Sequence, residues 1–147
     1  ESLYFIIMKK QQQTILEKII IGFFRGVWWL VKLPFHGLSK KKKLSVADQQ
    51  YVFSKKQEVR NLGQSKNPIE LRHAVIEADK LVDWILKKES YQGETFADRL
   101  RSAEKDISKN VYNSIWDGHK IRNCIAHEDG EISDNELRRA IINLLMK

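Results

Sequence analysis

Asn67-Pro68-Ile69-Glu70-Leu71-Arg72-His73-Ala74-Val75-Ile76-Glu77-Ala78-Asp79-Lys80-Leu81-Val82-Asp83-Trp84-Ile85-Leu86 is the stretch that decides the fold. Asn67 is a good helix N-cap, Pro68 is preorganised for the first helical position, and Glu70 is placed for a capping box. Behind them Leu71, Ala74, Val75, Ala78, Leu81, Val82, Ile85 and Leu86 recur at a helical period for about four turns. A stripe that broad must be buried against other elements.

Those elements follow toward the C-terminus. Tyr91-Gln92-Gly93-Glu94 breaks the first helix, and Thr95 caps a shorter one carrying Phe96, Leu100 and Ala103. Around Asn110 a third begins, with Val111, Ile115 and Trp116 as its first core positions. Gly118 weakens that helix by roughly 1 kcal/mol against Ala, which a close helix approach would justify. After Asp129-Gly130, Ser133-Asp134-Asn135-Glu136 forms a capping box ahead of Leu137, Ala140, Ile141, Leu144 and Leu145. No stretch alternates as a strand does. Residues 67–147 are therefore expected to be an all-α bundle of four helices. A bundle of that size is only marginally stabilised by its own core, and forming a homodimer or higher homo-oligomer would help. Residues 44–66 are polar, and Val46, Gln50, Phe53 and Val59 hint at a short helix. Linker and docking arm both remain open for it.

The third helix carries the chemistry. Asp117-Gly118-His119-Lys120-Ile121-Arg122-Asn123-Cys124-Ile125-Ala126-His127-Glu128-Asp129 combines a guanidinium, an amide and two imidazoles. His119, Asn123 and His127 follow one another at intervals of four and share a face, with Arg122 beside the row. The surrounding Ile115, Ile121, Ile125 and Ala126 are apolar, so the polar row needs a reason.

Arg122-Asn123, two residues, then Ala126-His127 resembles the signature of HEPN domains (higher eukaryotes and prokaryotes nucleotide-binding): an Arg, a polar residue, a short gap and a His. The resemblance covers roughly residues 67–147 and places the motif in the late helix of a four-helix pattern, as in that family. It does not cover the N-terminal part, and it implies a dimer and a metal-independent endoribonuclease in which the Arg and His of two subunits face each other. Arg122 would then clamp a phosphate, His127 would act as acid or base, and Asn123 would orient substrate or His127. His119 and Lys120 are further candidate substrate contacts. Metal-independent RNA cleavage requires a base for the 2′-hydroxyl, an acid for the leaving oxygen and a cation over the phosphate, which imidazole and guanidinium supply.

Other readings stand beside this one. Arg122 can pair with Asp117, Glu128, Asp79 or Asp83, and His127 sits where a helix C-terminus favours a cation. The bundle would then bind RNA or a nucleotide without cutting it, or serve as an oligomeric membrane scaffold. Asp79 and Asp83 are four apart, but solvated acidic faces are commoner than metal sites, and no metal is expected. Cys124 lacks a base and orienter beside it. No Gly-rich phosphate loop, Ser-centred elbow or zinc-ligand spacing occurs, so no cofactor is expected.

Composition narrows the setting. One cysteine excludes an intramolecular disulfide framework and fits a reducing compartment. The formal charge of +7 is unevenly placed. Residues 1–43 hold nine Lys/Arg against Glu1 and Glu17, whereas residues 44–147 hold seventeen of each sign. The basic excess therefore speaks first of a membrane surface and only weakly of RNA.

Residues 1–43 form the remaining unit. Glu1–Ile7 resembles a protease-tag remnant, from which Ile6 departs, ahead of a start at Met8. From Thr14 to Leu38 the chain is at its most apolar. Lys18, Arg25 and Lys32 fall on one stripe, against a broad face that includes Phe23, Phe24, Val27 and Leu30. Trp28 and Trp29 suit a membrane interface whether the helix lies in the plane or spans, and both geometries stay open. Gly22 and Gly26 suit close helix pairing. A helix buried in protein is the alternative. Lys40, Lys41, Lys42 and Lys43 follow, a block that anionic headgroups attract by about 1 kcal/mol per Lys. Membrane lipids are thus expected partners of residues 14–43, with residues 44–147 on the cytoplasmic side.

Overall fold

The computed structural model describes residues 41–127 and 130–147, and the cap at Asn67 starts the longest helix among them. The stretches read as tag remnant and membrane-associating helix lie outside the described residues, with Phe23, Phe24, Arg25, Trp28, Trp29 and Lys40; so do Glu128 and Asp129. Among the described residues every regular element is helical: α1 (Val46–Gly63), α2 (Pro68–Lys88), α3 (Phe96–Ser102), α4 (Lys109–His127) and α5 (Asp134–Leu145), with a single 3-10 turn at Glu104–Asp106. No described helix is long and apolar enough to cross a membrane.

α2 is the centre. Leu71, Ala74, Val75, Ala78, Val82 and Leu86 are all buried, and α1, α3, α4 and α5 pack around them. Val59 enters this core from α1, Leu100 from α3, Ile115 from α4, and Leu137 and Leu144 from α5. Each fully buried aliphatic side chain of this kind contributes roughly 1.5–3 kcal/mol.

The caps follow the local chemistry. Ser45, Thr95 and Ser133 each form a reciprocal capping box, with Asp48, Asp98 and Glu136 respectively. At α2 the cap is present but the box is not. Asn67 Oδ1 accepts from the Ile69 amide at 3.0 Å, while the Asn67 amide donates to Ser65 Oγ, also at 3.0 Å. Ser65 thus takes the amide that Glu70 would have bonded.

The stretch read as linker or docking arm is a docked helix. α1 lies along α2 and against α5, held by Lys88 Nζ on Asp48 at 3.0 Å and by the rings of Tyr51 and Trp84, 4.7 Å apart. Arg138 of α5 closes its C-terminal end, donating to the carbonyls of Gly63 and of Ser65, the latter at 2.7 Å. Before α1, the Lys42 amide donates to Glu89 O at 3.1 Å, which fastens Lys41–Lys43 beside the C-terminus of α2.

Gly118 does bring two helices together. A Cβ there would sit 2.5 Å from Leu144 Cγ and 3.0 Å from Ala140 O. α4 therefore meets α5 on its Ile115/Gly118 side, and the neighbouring His119 is turned toward α2.

Candidate functional site

Asp79 is a charged residue within the buried stripe of α2, its side chain 7% exposed. A buried carboxylate must be hydrogen-bonded and paired. Here His119 Nδ1 lies 2.7 Å from Asp79 Oδ1, and Arg122 Nε lies 3.5 Å from Oδ2. One carboxylate thus gathers two members of the α4 row. The histidine contact is a short hydrogen bond, whereas the arginine contact is a looser ion pair.

The imidazole is fixed in three ways. The ring of Phe96, the first residue of α3, stacks on it with centroids 4.1 Å apart and planes 10° apart. Trp116 meets it edge-on at 6.0 Å. Asp79 holds Nδ1, which must donate to the carboxylate, so Nε2 is the nitrogen left over.

Beside these groups a cavity of about 330 Å³ opens between α2, the start of α3 and α4, lined among others by Asp79, Lys80, Thr95, Phe96, His119 and Arg122. Arg122 is 37% exposed, and its Nη1 donates to Asn123 Oδ1 at 3.3 Å. Lys80 reaches the rim while its ammonium donates to Glu77 at 2.9 Å, a bond that holds the Glu77 carboxyl below its usual range. Asp83, which also lines the cavity, is occupied by Arg99 and Lys87.

The sequence-predicted residues separate into groups. Arg122 and His119 line the cavity; Asn123 does not, and its side chain accepts from Arg122. Lys120 points elsewhere, paired with Asp117 at 3.0 Å on the exposed side of α4. His127 is exposed at the last position of α4, with no side-chain hydrogen bond or ion pair among the described residues. At about 100° per residue, five positions put Arg122 and His127 roughly 140° apart around the helix. Lys41, Lys42 and Lys43 are exposed. The sequence offered Asp79 as a salt-bridge alternative for Arg122 and, with Asp83, as part of a solvated acidic face, whereas Asp79 is buried. Its place between Val75, Ala78 and Val82 on the buried stripe was the readable signal. Phe96 carried none, because its contact with His119 joins separate elements.

Among the described residues no three His, Cys, Asp or Glu side chains converge as metal ligands would. What this arrangement offers is a cation, an oriented imidazole and a second imidazole in solvent. No family model, curated protein or solved structure matches the chain.

Proposed function

We propose that the chain is a HEPN-like, metal-independent endoribonuclease that works as a dimer and is tethered to a membrane by residues 14–43. The observation that supports it best is the cavity lined by both Arg122 and His119, with His127 exposed on the same helix. A guanidinium stabilises charge on the phosphate as the 2′-oxygen attacks, and imidazoles exchange the two protons. The 2′-oxygen bonds to phosphorus and the bond to the 5′-oxygen breaks, which leaves a 2′,3′-cyclic phosphate and a 5′-hydroxyl.

A dimer suits this reading. Arg122 and His127 of one subunit diverge around α4, so a single phosphate meets both most easily when a second subunit supplies one of them. Arg122 is available for that work because its contact with Asp79 is long and its side chain partly solvated. An oligomeric membrane scaffold whose bundle only mediates association is the second reading. The equal numbers of acidic and basic residues in 44–147 favour it, since they give RNA little electrostatic attraction.

The test is cleavage of end-labelled RNA by the whole chain in detergent with excess EDTA, beside Arg122→Ala and His127→Ala. The expected result is cleavage by the wild type, with each variant slower by about 10²–10⁴-fold. Equal cleavage by all three proteins, or none by the wild type, ends the ribonuclease reading.

A further inference from the structure

Asp79–His119 is the one histidine–carboxylate contact within hydrogen-bond distance among the described residues, and it lines the cavity beside Arg122. Every buried side-chain nitrogen or oxygen among the described residues has a hydrogen-bond partner. His119 Nε2 has none, so it cannot be buried and must reach solvent. The residue is 12% exposed and lines the cavity. The result is a ring stacked on Phe96 and tied at one nitrogen, with the other unpartnered among the described residues, on a residue that lines a concave surface.

We propose that His119, through Nε2, is the base that removes the 2′-hydroxyl proton of a bound RNA phosphodiester, and that Asp79 is its positioning residue. This rests on the ribonuclease reading and extends it. His119 lies on the same side of α4 as Arg122, three residues away, so a phosphate on the guanidinium brings the adjacent 2′-hydroxyl toward Nε2. Asp79 keeps hydrogen on Nδ1, which leaves the lone pair on Nε2, and its negative charge balances the imidazolium that forms. The 2′ proton goes to His119, the oxygen–phosphorus bond forms, and the bond to the 5′-oxygen breaks. The leaving oxygen takes its proton from the imidazolium of His127, from the same or the second subunit. The two imidazoles therefore divide the work. One is held by Asp79 and Phe96 and accepts a proton; the other stands in solvent at the end of α4 and donates one.

The experiment compares the whole chain in detergent with His119→Gln, Asp79→Asn and His127→Ala on two substrates: RNA, and the four nucleoside 3′-(4-nitrophenyl phosphates), whose leaving group departs without a proton. The side-chain amide introduced in the first variant can still donate to Asp79 but cannot carry a proton between atoms. On RNA, His119→Gln and His127→Ala are each expected to lose about 10²–10⁴-fold in kcat. On the nitrophenyl esters His127→Ala recovers toward the wild-type rate and His119→Gln does not. Asp79→Asn loses about 10²-fold in kcat with KM within about threefold, the mark of a group acting in the transition state and not in binding. Wild-type kcat in either cavity variant overturns this assignment and leaves the ribonuclease reading standing. Recovery of His119→Gln on the nitrophenyl esters makes His119 the acid and overturns it equally. Absence of any wild-type cleavage removes both. Should His119→Gln fail to melt cooperatively, Asp79→Asn decides alone.

Discussion

Asp79 and Asp83 stand one helical turn apart on α2 and border the same cavity, yet they are bound in opposite ways. Asp83 receives Arg99 Nε at 2.8 Å and Nη2 at 2.6 Å on one oxygen, and Lys87 Nζ at 2.7 Å on the other. Arg99 is 8% exposed, and its remaining Nη1 donates to Gly93 O at 2.7 Å. Its donors are committed inward. Asp79 holds an imidazole by one nitrogen and a guanidinium at 3.5 Å, and both partners keep donors or lone pairs free at the cavity. A carboxylate with saturated partners is a fastening. One whose partners stay open toward solvent is a site, because it orients groups without using them up.

The contrast breaks most severely at Arg99. Its guanidinium ties α3 and the Gly93 turn to α2, and Arg99→Met leaves Asp83 with Lys87 alone in a partly buried setting. Loss of one partner of such a pair costs about 3 kcal/mol, discounted from the fully buried range because Asp83 is 19% exposed. Urea unfolding followed by circular dichroism measures it. A cost below that of Asp79→Asn would mean that the two carboxylates are alike, and the division between fastening and site would fail.

Asp79→Asn should be milder. The amide oxygen still accepts from His119 Nδ1, and the arginine contact it forfeits is long and partly solvated. The expected loss is about 1 kcal/mol, the gap between a charge-assisted and a neutral hydrogen bond less the relieved desolvation of the carboxylate. The same unfolding experiment checks this. A loss as large as that of Arg99→Met would place Asp79 among the fastenings and leave His119 as a core imidazole.

Much of this fold was legible because helix starts are local. Asn67-Pro68, Thr95 and Ser133 announce α2, α3 and α5 through side chains that bond their own first turns, and Gly118 marks the crossing with α5. α1 was harder to read, since Val59 is its one buried residue and its docking relies on distant partners: Trp84, Lys88 and Arg138. The site was legible in part for the same reason. Spacing along α4 gave the row from His119 to His127. It could not say that Asp79 draws His119 and Arg122 inward while His127 stays outside, because that division is made by α2 and α3.

The smallest effect tests what the fastening and the site share. Both depend on α3, which supplies Arg99 to Asp83 and Phe96 to His119. α3 starts at the Thr95 box, where Asp98 accepts from the Thr95 hydroxyl at 2.7 Å and from its amide at 3.2 Å. Those bonds, the hydroxyl first, hold the Asp98 carboxyl below its ordinary value of 3.8. A folded-state value below the unfolded one gives a contribution that is fully present above about pH 4 and is lost as pH falls through the lower folded value. Acidification below pH 4 should therefore loosen the start of α3, seen as earlier amide exchange at Phe96–Arg99 than within α2. The Thr95→Ala protein, lacking the hydroxyl, should show weaker acid sensitivity in that segment. An unchanged response in Thr95→Ala would mean that α3 is held by Arg99 and Phe96 alone, so that fastening and site support the helix and do not depend on its cap.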